Sequence, residues 1–250
     1  MPETAIAEAP AAKAATAGGN ILQVRNLEAW YGESHILHGI NFDVNAGEVV
    51  TLLGRNGAGK TTTLKSIMGI IGKRTGSVQF NSQEIIRTTS DKIARMGIAF
   101  CPEERGIFSS LDVRENLLLP PVVRAGGLPL DQIFDLFPNL KERLASQGTK
   151  LSGGEQQMLA IARVLRTGAK LLLIDEPTEG LAPVIVQRIA KTLQVLKEQG
   201  LSILLVEQNL RFASKIGDRH YLMEDGRILD CLTSVDMKRD TDRVQRTLGV

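Results

Sequence analysis

The feature that most constrains the fold is a glycine-rich loop, Gly54–Thr61, which matches the pattern GxxxxGK[ST]. A short apolar run, Val49–Leu53, precedes the loop and predicts a buried strand. After the loop, Leu64, Ile67 and Met68 recur at helical spacing. Strand, glycine loop and helix together are typical of a phosphate-binding P-loop. Because both flanking elements are present, a glycine turn beside a chance lysine is the weaker interpretation.

A P-loop predicts contacts to a nucleoside triphosphate and to Mg²⁺. Backbone amides near a helix N-terminus form an anion site, and glycines let the chain approach the phosphates closely. Lys60 supplies a charge to the β- and γ-phosphates, and the Thr61 hydroxyl is a candidate Mg²⁺ ligand. The predicted ATP-binding residues of this loop are Gly54, Asn56, Gly57, Ala58, Gly59, Lys60, Thr61 and Thr62.

Two carboxylates, Asp175 and Glu176, follow the apolar run Leu171–Ile174. The carboxyl end of a parallel strand is the usual place for a ligand site. We expect Asp175 to lie near Mg²⁺, through a water, and Glu176 to act as the general base for an attacking water. Alone, the pair would indicate only the polar end of a strand; a P-loop in the same chain favours the functional interpretation.

A second glycine motif, Leu151-Ser152-Gly153-Gly154-Glu155, lies 24 residues before Asp175. Ser152 and Glu155 have the spacing of a capping box ahead of an apolar-periodic helix, so a purely structural role is open. Two glycines in a first helical turn are unfavourable for the helix, however, and they leave bare amides at its positive end. These amides suit a phosphate group.

The order of predicted strands and helices along the rest of the chain indicates a single α/β domain. We expect a disordered tail at 1–20, a domain at 21–250 with strands at its amino end, and an inserted helical subdomain at about 91–166. Runs 171–174 and 203–206 flank an amphipathic helix, Ile185–Gln199, which predicts a right-handed crossover in a parallel sheet. Asp225-Gly226 predicts a hairpin turn, followed by a last helix.

Composition excludes several classes of protein. The net charge of +2 is spread over nearly equal numbers of acids and bases, so we expect no nucleic-acid partner. Cys101 and Cys231 lack metal-ligand spacing, and two reduced cysteines are expected. No apolar run approaches the roughly 18–20 residues of a membrane-spanning helix, so a membrane connection is expected through a partner.

With both glycine motifs in order, the chain from about Leu22 onward resembles the ATP-binding-cassette (ABC) ATPases. The resemblance implies a P-loop α/β core with an antiparallel β edge and a helical subdomain. It also implies that Ser152, Gly153, Gly154 and Glu155 reach across a dimer to the partner's ATP. Tyr31 matches the position that stacks on adenine in this family, with Trp30 as the neighbouring alternative.

Three positions depart from the broad family pattern. Glu103 replaces the glutamine that serves Mg²⁺ and the attacking water, and its extra negative charge bears on the metal site. Ala182 stands where an aspartate usually ends the loop after Glu176. Gln208 replaces the switch histidine; it can hydrogen-bond a γ-phosphate but cannot carry a proton's charge. We predict catalytic roles for Glu176 and Gln208, and metal contacts from Thr61, Glu103 and Asp175.

The segments Thr178–Pro183 and Val206–Asn209 closely resemble the ATPase subunits of branched-chain amino acid importers, whose near relatives serve urea and short amides. This resemblance implies a second ABC ATPase subunit as a heterodimer partner and two integral membrane permease subunits. It further implies a periplasmic or lipid-anchored solute-binding protein and a peripheral location on the cytoplasmic face of the inner membrane. A permease groove is expected near Arg105–Leu111, with Phe108 and Leu111 as contacts.

Other classes are open but weaker. A soluble ABC ATPase that works on nucleic acid, the ribosome or a cluster-assembly scaffold would carry long coiled-coil insertions or two cassettes in the best-known cases. An adenylate-type kinase would not need the motif at 152–154. The sequence therefore predicts ATP hydrolysis coupled to import.

Overall fold

The computed structural model describes residues 19–239 and residue 244. The strands are β1 Asn20–Tyr31, β2 Ser34–Asn45, β3 Val49–Leu53, β4 Lys73–Phe80, β5 Gln83–Glu84, β6 Ile98–Cys101, β7 Leu171–Asp175, β8 Ser202–Glu207, β9 Arg219–Glu224 and β10 Arg227–Thr233. The helices are α1 Lys60–Ile67, α2 Ser90–Met96, α3 Val113–Leu118, α4 Leu130–Leu136, α5 Pro138–Glu142, α6 Gly153–Leu165, α7 Pro183–Glu198, α8 Leu210–Ile216 and α9 Ser234–Arg239.

The core is a six-stranded sheet in the order β10-β9-β3-β8-β7-β6. Strands β3, β7 and β8 are buried along their whole length, because helices or a second sheet cover both faces. Strands β7 and β8 are parallel neighbours joined through α7, which confirms the predicted strand–helix–strand connection in a parallel sheet. The carboxyl ends of β3, β7 and β8 therefore lie at one edge of the sheet, where a ligand site is expected.

A second sheet of four antiparallel strands, in the order β2-β1-β4-β5, covers one face of the core sheet. Its inward residues Leu22, Val24 and Phe42 share a hydrophobic cluster with Leu52 and Val206 of the core sheet. On the other face, helices α3 to α8 pack in a cluster built around core-sheet residues from β3, β6, β7 and β8. The predicted α/β fold with an antiparallel β edge is thereby confirmed.

The predicted ranges differ in detail from the elements that form. The range 91–166 for the helical subdomain includes β6, which pairs with β7 in the core sheet, so the helical part that follows begins after Cys101. The sequence pattern did not predict this strand, because Ile98–Cys101 is only four residues long and follows α2 after a single glycine. Asn20, the last residue of the predicted tail, already begins β1, and residues 1–18 lie outside the described residues. The hairpin at Asp225-Gly226 forms between β9 and β10 as predicted.

A polar network joins the two sheets beside β9. Arg219 donates hydrogen bonds to the Glu48 carboxylate, including one of 2.8 Å from Nη2, and to the Asp43 carbonyl at 2.9 Å. Its Nη1 also donates to the Tyr221 hydroxyl at 3.0 Å. The Arg219 and Glu48 side chains are only 21% and 11% exposed. Because this ion pair is largely shielded from water, the loss of one partner would leave an uncompensated buried charge and lower stability.

We expect Glu48→Gln to lower the free energy of unfolding by about 1–3 kcal/mol, because Arg219 loses a charged acceptor while remaining largely buried. Urea denaturation at neutral pH measures the change. Glu33→Gln is the control, since the Glu33 side chain is 99% exposed and should shift stability by less than about 0.5 kcal/mol. Equal effects from the two variants would contradict a structural role for the network.

Candidate functional site

The glycine loop connects the end of β3 to the start of α1 at the carboxyl edge of the core sheet. Gly59, which caps α1, has φ +100°, a backbone conformation that residues with a Cβ rarely adopt. A Cβ on Gly54 would lie 2.3 Å from the Met223 carbonyl oxygen, so only glycine fits there. Loop residues 55–57 are exposed, whereas Ala58, Gly59 and Lys60 are buried beneath them. The loop is thus open on the side from which a phosphate would approach.

Lys60 is fixed at the bottom of this loop by three acceptors. Its Nζ donates to the carbonyls of Gly54 at 2.9 Å and Arg55 at 3.0 Å, and it pairs with Glu176 Oε1 at 3.0 Å. The side chains of Lys60 and Glu176 are 3% and 6% exposed. The predicted P-loop lysine and the predicted base therefore form one buried ion pair.

Glu176 lies between Lys60 and Gln208. Gln208 Nε2 donates to Glu176 Oε2 at 3.0 Å, so each carboxylate oxygen of Glu176 has its own partner. Glu176 has φ +42°, an uncommon backbone conformation that costs about 1–2 kcal/mol, and its N–H donates to the Val206 carbonyl of β8 at 3.0 Å. The turn directs this carboxylate back toward the P-loop.

Asp175 and Thr61 meet beside this pair. Thr61 Oγ1 donates to Asp175 Oδ1 at 3.0 Å, and Oδ2 is buried without a hydrogen-bond partner in the described part of the chain. The pKa of Asp175 is raised to about 6, mainly by burial, with the charges of Glu176 and Glu103 contributing to the rise and the Thr61 hydrogen bond opposing it. An unpaired buried carboxylate oxygen beside a hydroxyl is a donor set that suits Mg²⁺.

Two other acids near this edge lie in loops. Glu103 lies in the loop after β6 and Glu179 in the loop after β7, both exposed to solvent. Burial and the neighbouring carboxylates of Glu176 and Glu103 raise the pKa of Glu179. No group of three His, Cys, Asp or Glu side chains within the described residues could hold a metal unaided. A magnesium ion here would need further ligands from water or phosphate, as Mg²⁺ commonly has.

The second glycine motif forms the N-terminus of α6. Ser152 Oγ accepts from the Glu155 N–H at 3.3 Å, and the Ser152 N–H donates to Glu155 Oε2 at 2.8 Å, which completes a capping box. A Cβ on Gly154 would lie 2.9 Å from the Ile185 side chain of α7, so a larger residue would press on that helix. The capping box therefore forms, and the backbone amides of Gly153 and Gly154 lie in the first turn of α6.

The two aromatic residues at the end of β1 differ in their exposure and in their contacts. Tyr31 is 49% exposed, whereas Trp30 stacks on His35 with ring centroids 4.3 Å apart. Lys73 Nζ lies 5.6 Å from the Trp30 ring, and His38 packs edge-on against His35. With Trp30 engaged by these side chains, Tyr31 is the more exposed of the two candidates for stacking on a base. No sequence pattern indicated the Trp30–His35–His38 contacts.

Sequence reasoning missed one residue at this edge, Glu207. It is 1% exposed at the end of β8, and its carboxylate accepts from the Thr178 hydroxyl at 2.8 Å and the Asn209 N–H at 3.2 Å. Burial is the main cause that raises its pKa to about 7. An acid at the end of the apolar run 203–206 was the available signal.

The fold and this edge define a P-loop nucleotide-binding domain. Residues 37–179 match the family model described as ABC transporter. Among relatives, BraG of Pseudomonas aeruginosa, a high-affinity branched-chain amino acid transport ATP-binding protein, is 41% identical over 84% of this chain and 91% of its own length. LptB of Escherichia coli K12, a lipopolysaccharide export system ATP-binding protein, is 32% identical over 88% of this chain and 93% of its own.

A solved ATP-binding cassette of an ABC transporter in its ADP conformation superposes with a TM-score of 0.78 at 25% identity, over 92% of this chain and 98% of that chain. The chain belongs to the ABC transporter family and is an ABC ATPase. The resemblance to the branched-chain amino acid branch is confirmed by BraG and by the probable transport ATP-binding protein LivF of Archaeoglobus fulgidus, 38% identical over 83% of this chain and 90% of its own length.

We expect the difference in melting temperature between Glu207→Gln and the wild type to shift in favour of the variant as pH rises from 5 to 7. The pKa of Glu207 is about 7 in the folded protein against an ordinary 4.5, so the unfolded chain releases this proton first and wild-type stability falls across that interval. Glutamine has no proton to release, so the variant escapes this loss. Melting temperatures from pH 5 to 8 measure the difference, which should level off above about pH 7. A constant difference would contradict the raised pKa.

Proposed function

We propose that this chain is the ATP-hydrolysing subunit of an importer for branched-chain or related amino acids. The observation that carries the proposal is the placement of Glu176, which lies 3.0 Å from both the P-loop lysine and Gln208. In an ABC ATPase this is where a base must lie to serve a water attacking the γ-phosphate. The identity to BraG over most of both chains supports branched-chain amino acids as the solute class.

Nucleotide binding begins with the loop Gly54–Thr62, whose amides receive the phosphates while Tyr31 stacks on the adenine. The γ-phosphate competes with Glu176 for Lys60 Nζ, because this nitrogen already donates to two carbonyls. Once displaced from Lys60, the Glu176 carboxylate is free to accept a proton from the attacking water. Gln208 Nε2 remains beside Glu176 and holds it toward the phosphate.

Magnesium, when bound, supplies positive charge that neutralises the β- and γ-phosphates. The residues that would hold it are Thr61, Asp175 and Glu103. Asp175 offers the unpaired buried oxygen described above, and Thr61 contributes its hydroxyl next to it. Glu103 is an exposed carboxylate near enough to raise the pKa of Asp175, which a cation would reverse.

The motif at 152–155 serves the partner subunit. In the proposed assembly Ser152, Gly153, Gly154 and Glu155 close the ATP site of a second ABC ATPase subunit, and that subunit's motif closes the Lys60 site. Closure of the pair around ATP drives two integral membrane permease subunits, and hydrolysis resets them. A periplasmic or lipid-anchored binding protein delivers the solute.

In this proposal the chain is peripheral to the cytoplasmic face of the inner membrane and binds no nucleic acid. Among the described residues, none of the helices has both the length and the apolar character needed to cross a bilayer. The half-exposed Phe108 lies in the loop where permease contact is proposed, together with Leu111.

We expect Glu176→Gln to lower ATP hydrolysis by about 100-fold or more, because the amide cannot accept a proton from water. ATP should still bind, and the two ATPase subunits should stay associated in its presence. In cells, uptake of labelled leucine, isoleucine and valine should be lost. Glu104→Gln removes an exposed carboxylate from the loop after β6 and is the control, with hydrolysis within about twofold of wild type.

Other outcomes in the same cells separate the alternatives. Loss of urea or short-amide uptake alone would replace the amino acids by those solutes. Normal uptake with a defect in lipopolysaccharide export would contradict import and favour the relationship to LptB. Rapid hydrolysis by Glu176→Gln would contradict its role as base.

We further expect the two ATP sites of the heterodimer to turn over unequally, with the Lys60 site slower, because Gln208 cannot carry a proton's charge. Lys60→Ala in this chain disables one site, and the same change in the partner's P-loop disables the other. Steady-state hydrolysis by each half-disabled complex measures the site that remains. A complex with both lysines changed gives the background, and equal rates would contradict unequal sites.

A further inference from the structure

Glu207 joins the two loops that carry Glu176 and Gln208. Its Oε1 accepts from both the hydroxyl of Thr178, at 2.8 Å, and the Thr178 N–H, at 3.3 Å. Its Oε2 accepts from the N–H of Asn209 at 3.2 Å. One buried carboxylate therefore bonds the loop after β7 with one oxygen and the loop after β8 with the other.

These bonds fix the residues on both sides of Gln208. Glu207 precedes it and is held by Thr178, while Asn209 follows it and caps α8, its side chain accepting from the Phe212 N–H at 3.1 Å. Gln208 itself is exposed, and its side chain donates to Glu176. Its main chain is thus held at both ends, which places its amide within reach of the base.

Burial of an acid here is not explained by packing alone. The four preceding residues of β8, Ile203–Val206, are apolar and wholly buried, and an apolar side chain would continue that pattern. In the described part of the chain the hydrogen-bond partners of Glu207 are neutral groups. A buried carboxyl group with neutral partners is costly, which favours a role that a hydrocarbon could not fill.

We propose that Glu207 is a positioning residue that holds Gln208 against Glu176 by fastening the loop after β7 to the loop after β8. In this proposal Glu207 acts through Gln208 and not on the nucleotide or the attacking water itself. The inference rests on the proposed function, since it assigns a step in ATP hydrolysis to the Glu176–Gln208 contact.

The first test compares ATP hydrolysis by Glu207→Gln, Thr178→Val and the wild type in the full chain purified with its partner subunits. The assay is run at pH 8, above the pKa of about 7 for Glu207, and glutamine offers one acceptor oxygen where the two loops use two. We expect kcat to fall about tenfold in Glu207→Gln and several-fold in Thr178→Val, with KM for ATP within about twofold, because the P-loop is unchanged. Thr178→Ser should restore kcat, since it keeps the hydroxyl.

Thr192→Val is the matched control, because it removes another buried threonine hydroxyl, on α7, and should leave kcat within twofold. Parallel changes in kcat and KM, or failure of Thr178→Ser to restore kcat, would overturn the proposal. If Glu207→Gln does not fold, the Thr178 pair still decides the outcome.

The second test repeats both changes in a Gln208→Ala background. If Glu207 acts through Gln208, the background variant is already slow and Glu207→Gln lowers kcat less than twofold further. A second full tenfold loss would overturn the proposal and leave Glu207 as general structural support. No ATP hydrolysis by the unmodified complex would instead contradict the proposed function, so the two failures are distinguishable.

Discussion

The buried ion pair between Lys60 and Glu176 is the interaction on which the arrangement at the carboxyl edge of the core sheet depends. Removing both charges from water is expensive, and it is offset only by good geometry and further hydrogen bonds. Here the Gly54 and Arg55 carbonyls complete the partners of the lysine, and Gln208 completes those of the glutamate. The P-loop, the end of β7 and the end of β8 must therefore form together.

This requirement explains why β3, β7 and β8 run parallel in the core sheet and are covered on both faces. Only a parallel sheet brings the carboxyl ends of β3, β7 and β8 to one edge from distant parts of the chain. The antiparallel sheet and the helices shield these strands, which are therefore buried along their whole length and mostly apolar. The positive φ of Glu176 is tolerated because the surrounding sheet holds the turn in place.

Much of this could be predicted from sequence because the signals are local. The P-loop, the capping box at Ser152 and the crossover around α7 each depend on spacing within a short segment. Contacts between segments far apart in the chain leave no such pattern, and Glu207 with Thr178 and Arg219 with Glu48 are of this kind. Strand β6 was missed for a different reason, since four residues are too few for a clear period. The individual roles of the site residues stay predictions.

In the proposed assembly, the capping box at the start of α6 has a consequence for how two subunits meet. Ser152 and Glu155 satisfy each other's hydrogen bonds within one chain, so the first turn is ordered before any partner arrives. A segment that is already in its bound shape loses little conformational entropy on association. Docking onto a phosphate held by a second subunit would then resemble the meeting of two rigid bodies, with no folding step to slow it.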